Sequence, residues 1–316
     1  MKSQRAAAKA PTRAKSAGKK TKAQPVQVSI RPSTVQPKKI ASRIERDLDK
    51  DGNPLIRSAA FMVQDIDSGR VLLEKNSQTS LPIASISKLM TAMVVLDAHL
   101  DLNELMQISE DDVDRLKNTS SHLPVGTVLT RDDMLRLALM ASENRAASAL
   151  SRYYPGGHAA FIDAMNQKAR VLGLRETHFE DSIGLNKNNV SSARDLATIV
   201  ATAARYPLIR EFSTSTEHQV RLNGRPRMFH NTNALVRNAG SDWQIGLSKT
   251  GFINESGKCL VMQAWFGNKP VAIVLLDAAG SATRLSDANR IRKWVETALN
   301  SQAHVATLSA VTGSTN

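Results

Sequence analysis

The stretch Pro82-Ile83-Ala84-Ser85-Ile86-Ser87-Lys88-Leu89-Met90-Thr91-Ala92-Met93-Val94-Val95-Leu96 reads as one mostly apolar helix, opened by a proline and a serine, with a lysine near its start. Residues three apart lie on one helix face a turn apart, so Ser85 and Lys88 bring a hydroxyl and an amine together. Ile86, Leu89, Met90, Met93 and Val94 are residues of a core-buried helix. A lysine beside such a core loses hydration; its pKa falls, and the neutral amine accepts a proton from a nearby hydroxyl. The spacing alone is not specific. A capping Ser85 and a Lys88 whose stem runs along the core to water would show it too, and Ser-x-x-Lys recurs at Ser16 and Lys19 in a segment with no folding pattern.

Outward from this helix the chain reads in order. Residues 59–65 and 70–75 are apolar-rich runs separated by Asp67-Ser68-Gly69, which predicts a β-hairpin. From 103 to 207 the pattern is mainly helical, most clearly over 132–153, and Pro155-Gly156-Gly157 ends that stretch. Strands return at 245–253, 259–266 and 270–277, broken by turn clusters at 254–257 and 267–269. Over 284–299, Leu285, Ala288, Ile291, Trp294 and Val295 recur at helical spacing, the face of a helix packed on a sheet. Strand pair, helices, strand trio and helix predict an α/β chain: one antiparallel sheet built from both chain ends, with a helical subdomain inserted. Residues 46–300 are then one folding unit, flanked by a basic tail over 1–45 and a polar tail over 301–316.

Charge is confined to the first of these tails. The 316 residues carry a net charge of +13, but residues 1–39 hold eleven Lys and Arg and no acid, which leaves +2 for the rest. Rich in Ala, Lys, Pro, Gln and Ser and without aromatics, this segment buries too little to fold alone. Electrostatic attraction to an anionic polymer or membrane surface is one use for it, and a solvated linker or leader remnant is the plainer one. No base-stacking aromatics accompany the charge, so no specific nucleic acid partner is expected. The tail contains no apolar h-region of a secretory signal, and no run in the chain approaches a membrane span.

Metal and cofactor chemistry find little support. The seven histidines lack metal-ligand spacing and there is no Walker-type glycine loop. Asp47-Leu48-Asp49-Lys50-Asp51-Gly52 imitates a calcium loop, but Ser58 stands where the bidentate glutamate belongs, so a polar turn is expected. Cys259, the one cysteine, lies in an apolar run and reads as a core residue. No cofactor and no metal are expected.

Two further motifs complete a constellation with Ser85 and Lys88. Ser142-Glu143-Asn144 follows an apolar run at 135–140, and Lys249-Thr250-Gly251 lies on an expected strand. In this order, with this local structure, the three form the set used by serine acyl-enzymes of the penicillin-binding type. Ser85 would attack, Lys88 take its proton and Ser142 pass a proton to the departing amine. Asn144 would orient a substrate amide, and Lys249 and Thr250 would receive a carboxylate. Gly251 would let an extended substrate pair with the strand edge, with the backbone amides of Ser85 and Phe252 as oxyanion hole.

On these residues the chain resembles the low-molecular-mass penicillin-binding D-alanyl-D-alanine peptidases, and among them the endopeptidases. The likeness runs over 59–297 and is close at 82–97, at Leu137-Ala138-Leu139-Met140-Ala141-Ser142-Glu143-Asn144-Arg145-Ala146-Ala147, at Tyr154-Pro155-Gly156-Gly157, at Asn231-Thr232-Asn233 and at Lys249-Thr250-Gly251-Phe252. The resemblance implies a transpeptidase/β-lactamase-like fold and a periplasmic enzyme that cuts D-alanyl-meso-diaminopimelyl cross-links of peptidoglycan through a Ser85 ester. It further implies β-lactams as inhibitors that trap this ester. Two departures stand out: the export signal is not visible in this chain, so a leader upstream or a downstream start is expected, and the basic tail is long for the family's mature form.

Three rivals remain open. A D-alanyl-D-alanine carboxypeptidase attacks the same carbonyl; the polar end at 301–316, in place of a second domain and an amphipathic anchor, leans toward the endopeptidase. A serine β-lactamase needs a deacylating base, and in the Glu-x-x-Leu-Asn pattern that ends at Leu185-Asn186 the glutamate's place holds Ser182. A non-catalytic wall-binding or nucleic-acid-binding protein would work through the basic tail alone.

Overall fold

Successive strand side chains point to opposite faces of a sheet, so the near-continuous apolar runs at 59–65 and in the late strands give those strands two faces to bury. The computed structural model describes residues 48–238 and 242–312, with side chains as far as residue 298; they belong to a compact unit, Ile44–Asn316. In chain order the elements are β1 (Ala60–Asp65), β2 (Val71–Lys75), β3 (Leu81–Pro82), a 3-10 turn (Ala84–Ser87) leading into α1 (Lys88–Asp97), β4 (Leu105–Gln107), β5 (Val128–Thr130), α2 (Arg131–Met140), α3 (Asn144–Arg152) and α4 (Gly157–Val171). There follow β6 (Val190–Ser191), α5 (Ala193–Ala203), α6 (Pro207–Thr214), β7 (Glu217–Leu222), β8 (Arg225–His230), α7 (Ala234–Arg237), β9 (Gln244–Ile253), β10 (Gly257–Phe266), β11 (Lys269–Ala278) and α8 (Ser281–Thr312).

The main sheet has the order β2-β1-β11-β10-β9, antiparallel throughout, so both chain ends build it. Ala60, Met62, Val261, Ala272, Val274 and Leu276 face the helical region and share its core. Their neighbours Phe61, Val63, Leu260, Met262, Ile273 and Leu275 face the other way, onto Ala288, Ile291 and Val295 of α8. Burying one such side chain contributes about 1.5–3 kcal/mol. Cys259 is wholly buried in the first core, and burial pushes its thiol pKa up to about 11, a packing residue and not a nucleophile. Asp287 of α8 is also fully buried; it accepts from the backbone N–H groups of Arg57 (3.1 Å) and Ser58 (2.8 Å), the Ser58 hydroxyl (2.8 Å) and the Arg290 guanidinium (2.9 Å). One carboxylate thereby ties the approach to β1 to the helix on the far side of the sheet.

Several expected elements are redrawn. The helix at 82 starts later: Ala84 takes a left-handed φ of 49° and Ala84–Ser87 wind as a 3-10 turn before α1 begins. The stretch 132–153 is two helices, broken where Ser142 sits at φ 60°. The middle of the chain is not all helix and loop, because β4 pairs with β5 and β7 with β8. The second pair turns at Asn223-Gly224, both at positive φ, the dipeptide suited to a tight hairpin. The helix expected over 284–299 runs on to Thr312, into the segment expected to be a polar tail.

At 48–54 the chain makes a polar turn, with Asp49 Oδ1 accepting from the N–H groups of Asp51 and Asn53; Asp47 lies outside the described residues, as does the basic tail. Among the described residues no three His, Cys, Asp or Glu side chains gather to hold a metal, and no helix is long and apolar enough to cross a membrane.

Candidate active site

Strand β9 is an edge of the main sheet, and the 3-10 turn packs directly on it. A Cβ added at Gly251 would lie 2.8 Å from the Ile83 carbonyl oxygen and 3.2 Å from the Ser85 nitrogen. The missing side chain at Gly251 thus makes room for the protein's own serine turn. The same contact sets the Ser85 amide beside the strand that carries Phe252, whose side chain is half exposed. Ala84 and Ser142 both sit in the left-handed region that costs a non-glycine residue about 1–3 kcal/mol. Each flanks or carries a hydroxyl of the constellation.

The Lys88 side chain is completely buried, and its Nζ donates to Ser85 Oγ (2.9 Å), Asn144 Oδ1 (2.8 Å) and the Ile183 carbonyl (2.6 Å). Charged, the amine serves all three acceptors. Neutral, it keeps two N–H donors for Asn144 and Ile183 and turns its lone pair to the Ser85 hydroxyl, the arrangement of a base. Burial pushes its pKa down to about 7, against the opposing pull of the Asp181 and Glu143 carboxylates.

On the strand side, Lys249 is as deeply buried; its Nζ donates to Ser142 Oγ (2.8 Å) and to the Thr250 carbonyl (3.0 Å). Burial holds its pKa well below the ordinary lysine value, and the positive charges of Lys88 and Arg284 push the same way. Thr250 Oγ1 lies 2.7 Å from Thr232 Oγ1. All the residues singled out in the sequence, Ser85, Lys88, Ser142, Asn144, Lys249, Thr250 and Gly251, thus meet around one groove. Asn144 differs from expectation in its partners: its Oδ1 faces Lys88 and its Nδ2 donates to Thr119 Oγ1 (3.0 Å), so its amide holds the groove wall together.

Residues the sequence did not single out complete the surroundings. Asp181 accepts from the N–H groups of Ile183 (2.9 Å), Gly184, Leu185 (3.1 Å) and Asn186 (2.6 Å), and this nest fixes the loop whose Ile183 carbonyl receives Lys88. Gly184 has φ +83° and backs onto the serine turn, where a Cβ would fall 2.0 Å from the Ala84 carbonyl oxygen. An Asp three residues before a Gly is an Asx-turn signal that would have marked this loop. Glu143 accepts from the Ser121 hydroxyl (2.6 Å) and the His122 N–H (3.1 Å). Ser182, which stands where the lactamase pattern has its base, is fully buried and donates to Ala147 O (3.3 Å) and Ser151 Oγ (3.1 Å).

Comparison with known proteins agrees with this geometry. A family model described as D-alanyl-D-alanine carboxypeptidase matches residues 47–280. The chain is 45% identical to a D-alanyl-D-alanine endopeptidase of Pseudomonas aeruginosa over 254 residues, 78% of this chain and 81% of that protein. It is equally 45% identical to one of Escherichia coli over 246 residues, 77% and 79% of the two chains. Among solved structures, the Streptomyces K15 DD-transpeptidase superposes with a TM-score of 0.71 at 30% identity, covering 77% of this chain and 98% of that one.

Proposed function

We propose that this chain, which belongs to the family of D-alanyl-D-alanine carboxypeptidases, is a serine D,D-endopeptidase that hydrolyses D-alanyl-meso-diaminopimelyl cross-links of peptidoglycan through an acyl-enzyme. One observation carries the reading: the buried Lys88 amine, its pKa brought to about 7, lies 2.9 Å from the Ser85 hydroxyl. A lysine so placed is half unprotonated near neutrality and is the base the serine needs.

In this reading Ser85 Oγ attacks the D-alanyl carbonyl carbon as its proton passes to Lys88, and the backbone amides of Ser85 and Phe252 hold the developing oxyanion. The C–N bond then breaks; the departing amine takes, through Ser142, the proton that Lys88 had accepted, which leaves Lys88 neutral, and the Lys249 amine supports Ser142 from the other side. Water attacks the Ser85 ester with Lys88 again as base, and the carboxylic acid and free enzyme are released. Thr250, with Lys249 behind it, receives the carboxylate of the leaving residue, and β9 offers its free edge to the extended peptide. The 45% identity to two proteins named endopeptidases favours that activity over the carboxypeptidase alternative. Buried Ser182 supplies no carboxylate to speed ester hydrolysis, so β-lactams are long-lived inhibitors and lactamase turnover is slow.

Cutting such cross-links belongs to wall remodelling and cell shape, and the substrate sets the place of action in the periplasm. The cationic segment 1–45 adds attraction to anionic wall polymer or lipid headgroups, without specificity. The folding unit 46–300 carries the chemistry. Digestion of purified cross-linked muropeptides, with products separated by mass, tests the proposal. Monomeric stem peptides from the native chain and none from Ser85→Ala support it; removal of terminal D-alanine with cross-links left intact selects the carboxypeptidase.

A further inference from the structure

The two walls of the Ser85 groove are joined at one end by charge. One wall runs from Lys88 through Asn144 to Thr119, and Asp114 carries it on, accepting from the Thr119 N–H (2.7 Å) and hydroxyl (2.8 Å) and from the Lys117 N–H (3.0 Å). The other wall is β9, whose turn into β10 bears Glu255. Lys117 Nζ donates to Glu255 Oε1 across the groove, with the two side chains 28% and 35% exposed. A third charge, Lys187, lies on the loop fixed by Asp181, whose Leu185 packs against Ile253 two residues before Glu255, and its positive charge acts on the Glu255 carboxylate. Three segments distant in sequence therefore place two ammonium groups and one carboxylate together.

Direction along β9 says what this end of the groove meets. The inference rests on the proposed peptidase reading, in which the leaving residue's carboxylate sits at Lys249 and Thr250. From there β9 continues through Gly251, beside Ser85, and Phe252 to the Glu255 turn. The charged trio thus lies beyond the scissile carbonyl on the acyl-donor side, where the residue before the D-alanine extends its side chain. We infer that Lys117, Lys187 and Glu255 form a subsite for the side-chain end of that donor residue, and that its ligand is a zwitterion with an amine and a carboxylate on one carbon, as on a diaminopimelyl residue. The ligand's ammonium takes the place of Lys117 on Glu255, and its carboxylate turns to Lys117 and Lys187. An exposed ion pair holds little, so opening it costs little. The exchange leaves each charge partnered, and the second lysine favours ligands that bring a carboxylate.

Two cross-linked peptides test this on the full chain: one with diaminopimelyl as the donor residue, and one with lysyl, which has the amine and lacks the carboxylate. The native protein is expected to favour the first in kcat/KM by roughly tenfold. That ratio should fall to about twofold or less in Lys117→Ala with Lys187→Ala, and part of the way in Lys187→Ala alone, which leaves the Lys117–Glu255 pair to bridge the groove. Thermal melts close to the native one show that these variants are folded. A native ratio near one, or variants that keep the native ratio while both rates move together, overturn the subsite and leave the pair as a mere strap. A native protein that cleaves neither peptide overturns the parent reading, and the subsite with it.

Discussion

Lys249 reaches from the edge strand to Ser142 at the break between α2 and α3, Nζ to Oγ 2.8 Å, and so joins the sheet to the helical region at the groove. Neither residue is placed for this by its own element alone. Ser142 is turned toward the strand by a left-handed backbone, and Lys249 is held under cover by burial. The hydroxyl is therefore oriented by an amine that has lost much of its own affinity for a proton. Ser142→Ala should lower kcat/KM on a D-alanyl peptide by roughly 10²–10⁴, the range for losing a positioned proton donor. A loss under tenfold would place Ser142 outside the proton path.

In the proposed reaction the second lysine, Lys88, sets the pH dependence. With its pKa near 7, Lys88 carries a proton on the acid side and cannot accept one from Ser85, so acylation by a fluorescent penicillin should rise with pH through about 7. Glu143 raises that pKa by its charge, so Glu143→Gln should move the rising limb to lower pH. Second-order acylation rates across neutral pH decide it. A limb that stays in place would mean that another group titrates. The same group tilts stability: between about 7 and the ordinary 10.5, only the unfolded chain holds this proton, so folding gains from Lys88 as pH rises through that window. Lys88→Met should flatten this slope in denaturant melts.

How far the groove could be read from sequence follows from these contacts. The three motifs were legible because each sits on or directly beside a strongly apolar run, at the start of α1, at the end of α2 or along β9, where a lysine or serine stands out. The early hairpin and the late strand trio were legible through Asp67-Ser68-Gly69 and the turn clusters at 254–257 and 267–269. What escaped lacks such contrast. The Ala141-Ser142-Glu143 break has no Gly or Pro, and it is made by a left-handed Ser142 and by Glu143 turning to Ser121 and His122. The β7 and β8 strands are mostly exposed and rich in Arg, so only Asn223-Gly224 betrays them. Asp181 works through backbone N–H groups, so its spacing to Gly184 was the one side-chain signal that could have marked it.

Close backbone approach at the serine turn predicts a ranked pair of variants. At Gly251 an added Cβ would press on the Ile83 carbonyl at 2.8 Å, so Gly251→Ala should cost about 1–3 kcal/mol as the turn shifts. At Gly184 the contact is 2.0 Å and the φ of +83° is itself unfavourable for alanine, so Gly184→Ala should cost more. For a domain of this size each kcal/mol lowers the melting temperature by roughly 2–4 °C. Both variants should also slow penicillin labelling, because both displace Ser85. Equal melts, or full-speed labelling in either variant, would contradict the packing described.

The carboxylate of Asp287 gives a variant that separates stability from chemistry. It is completely buried and accepts from two backbone N–H groups, a hydroxyl and a guanidinium, joining residues 57 and 58 to a helix some 230 positions later. Asp287→Ala leaves those buried N–H groups without their acceptor and should cost about 3 kcal/mol. Ser58→Ala removes only the hydroxyl and keeps the Ser58 N–H contact, so about 1 kcal/mol is expected there. Since this junction lies on the face of the sheet that packs on α8, Asp287→Ala protein held well below its melting point should acylate with the native pH profile. Denaturant titration and penicillin labelling on the same samples read the two quantities independently. A shifted profile would mean that the α8 side of the sheet is coupled to Lys88, and an unchanged midpoint would mean that β1 does not need this clamp.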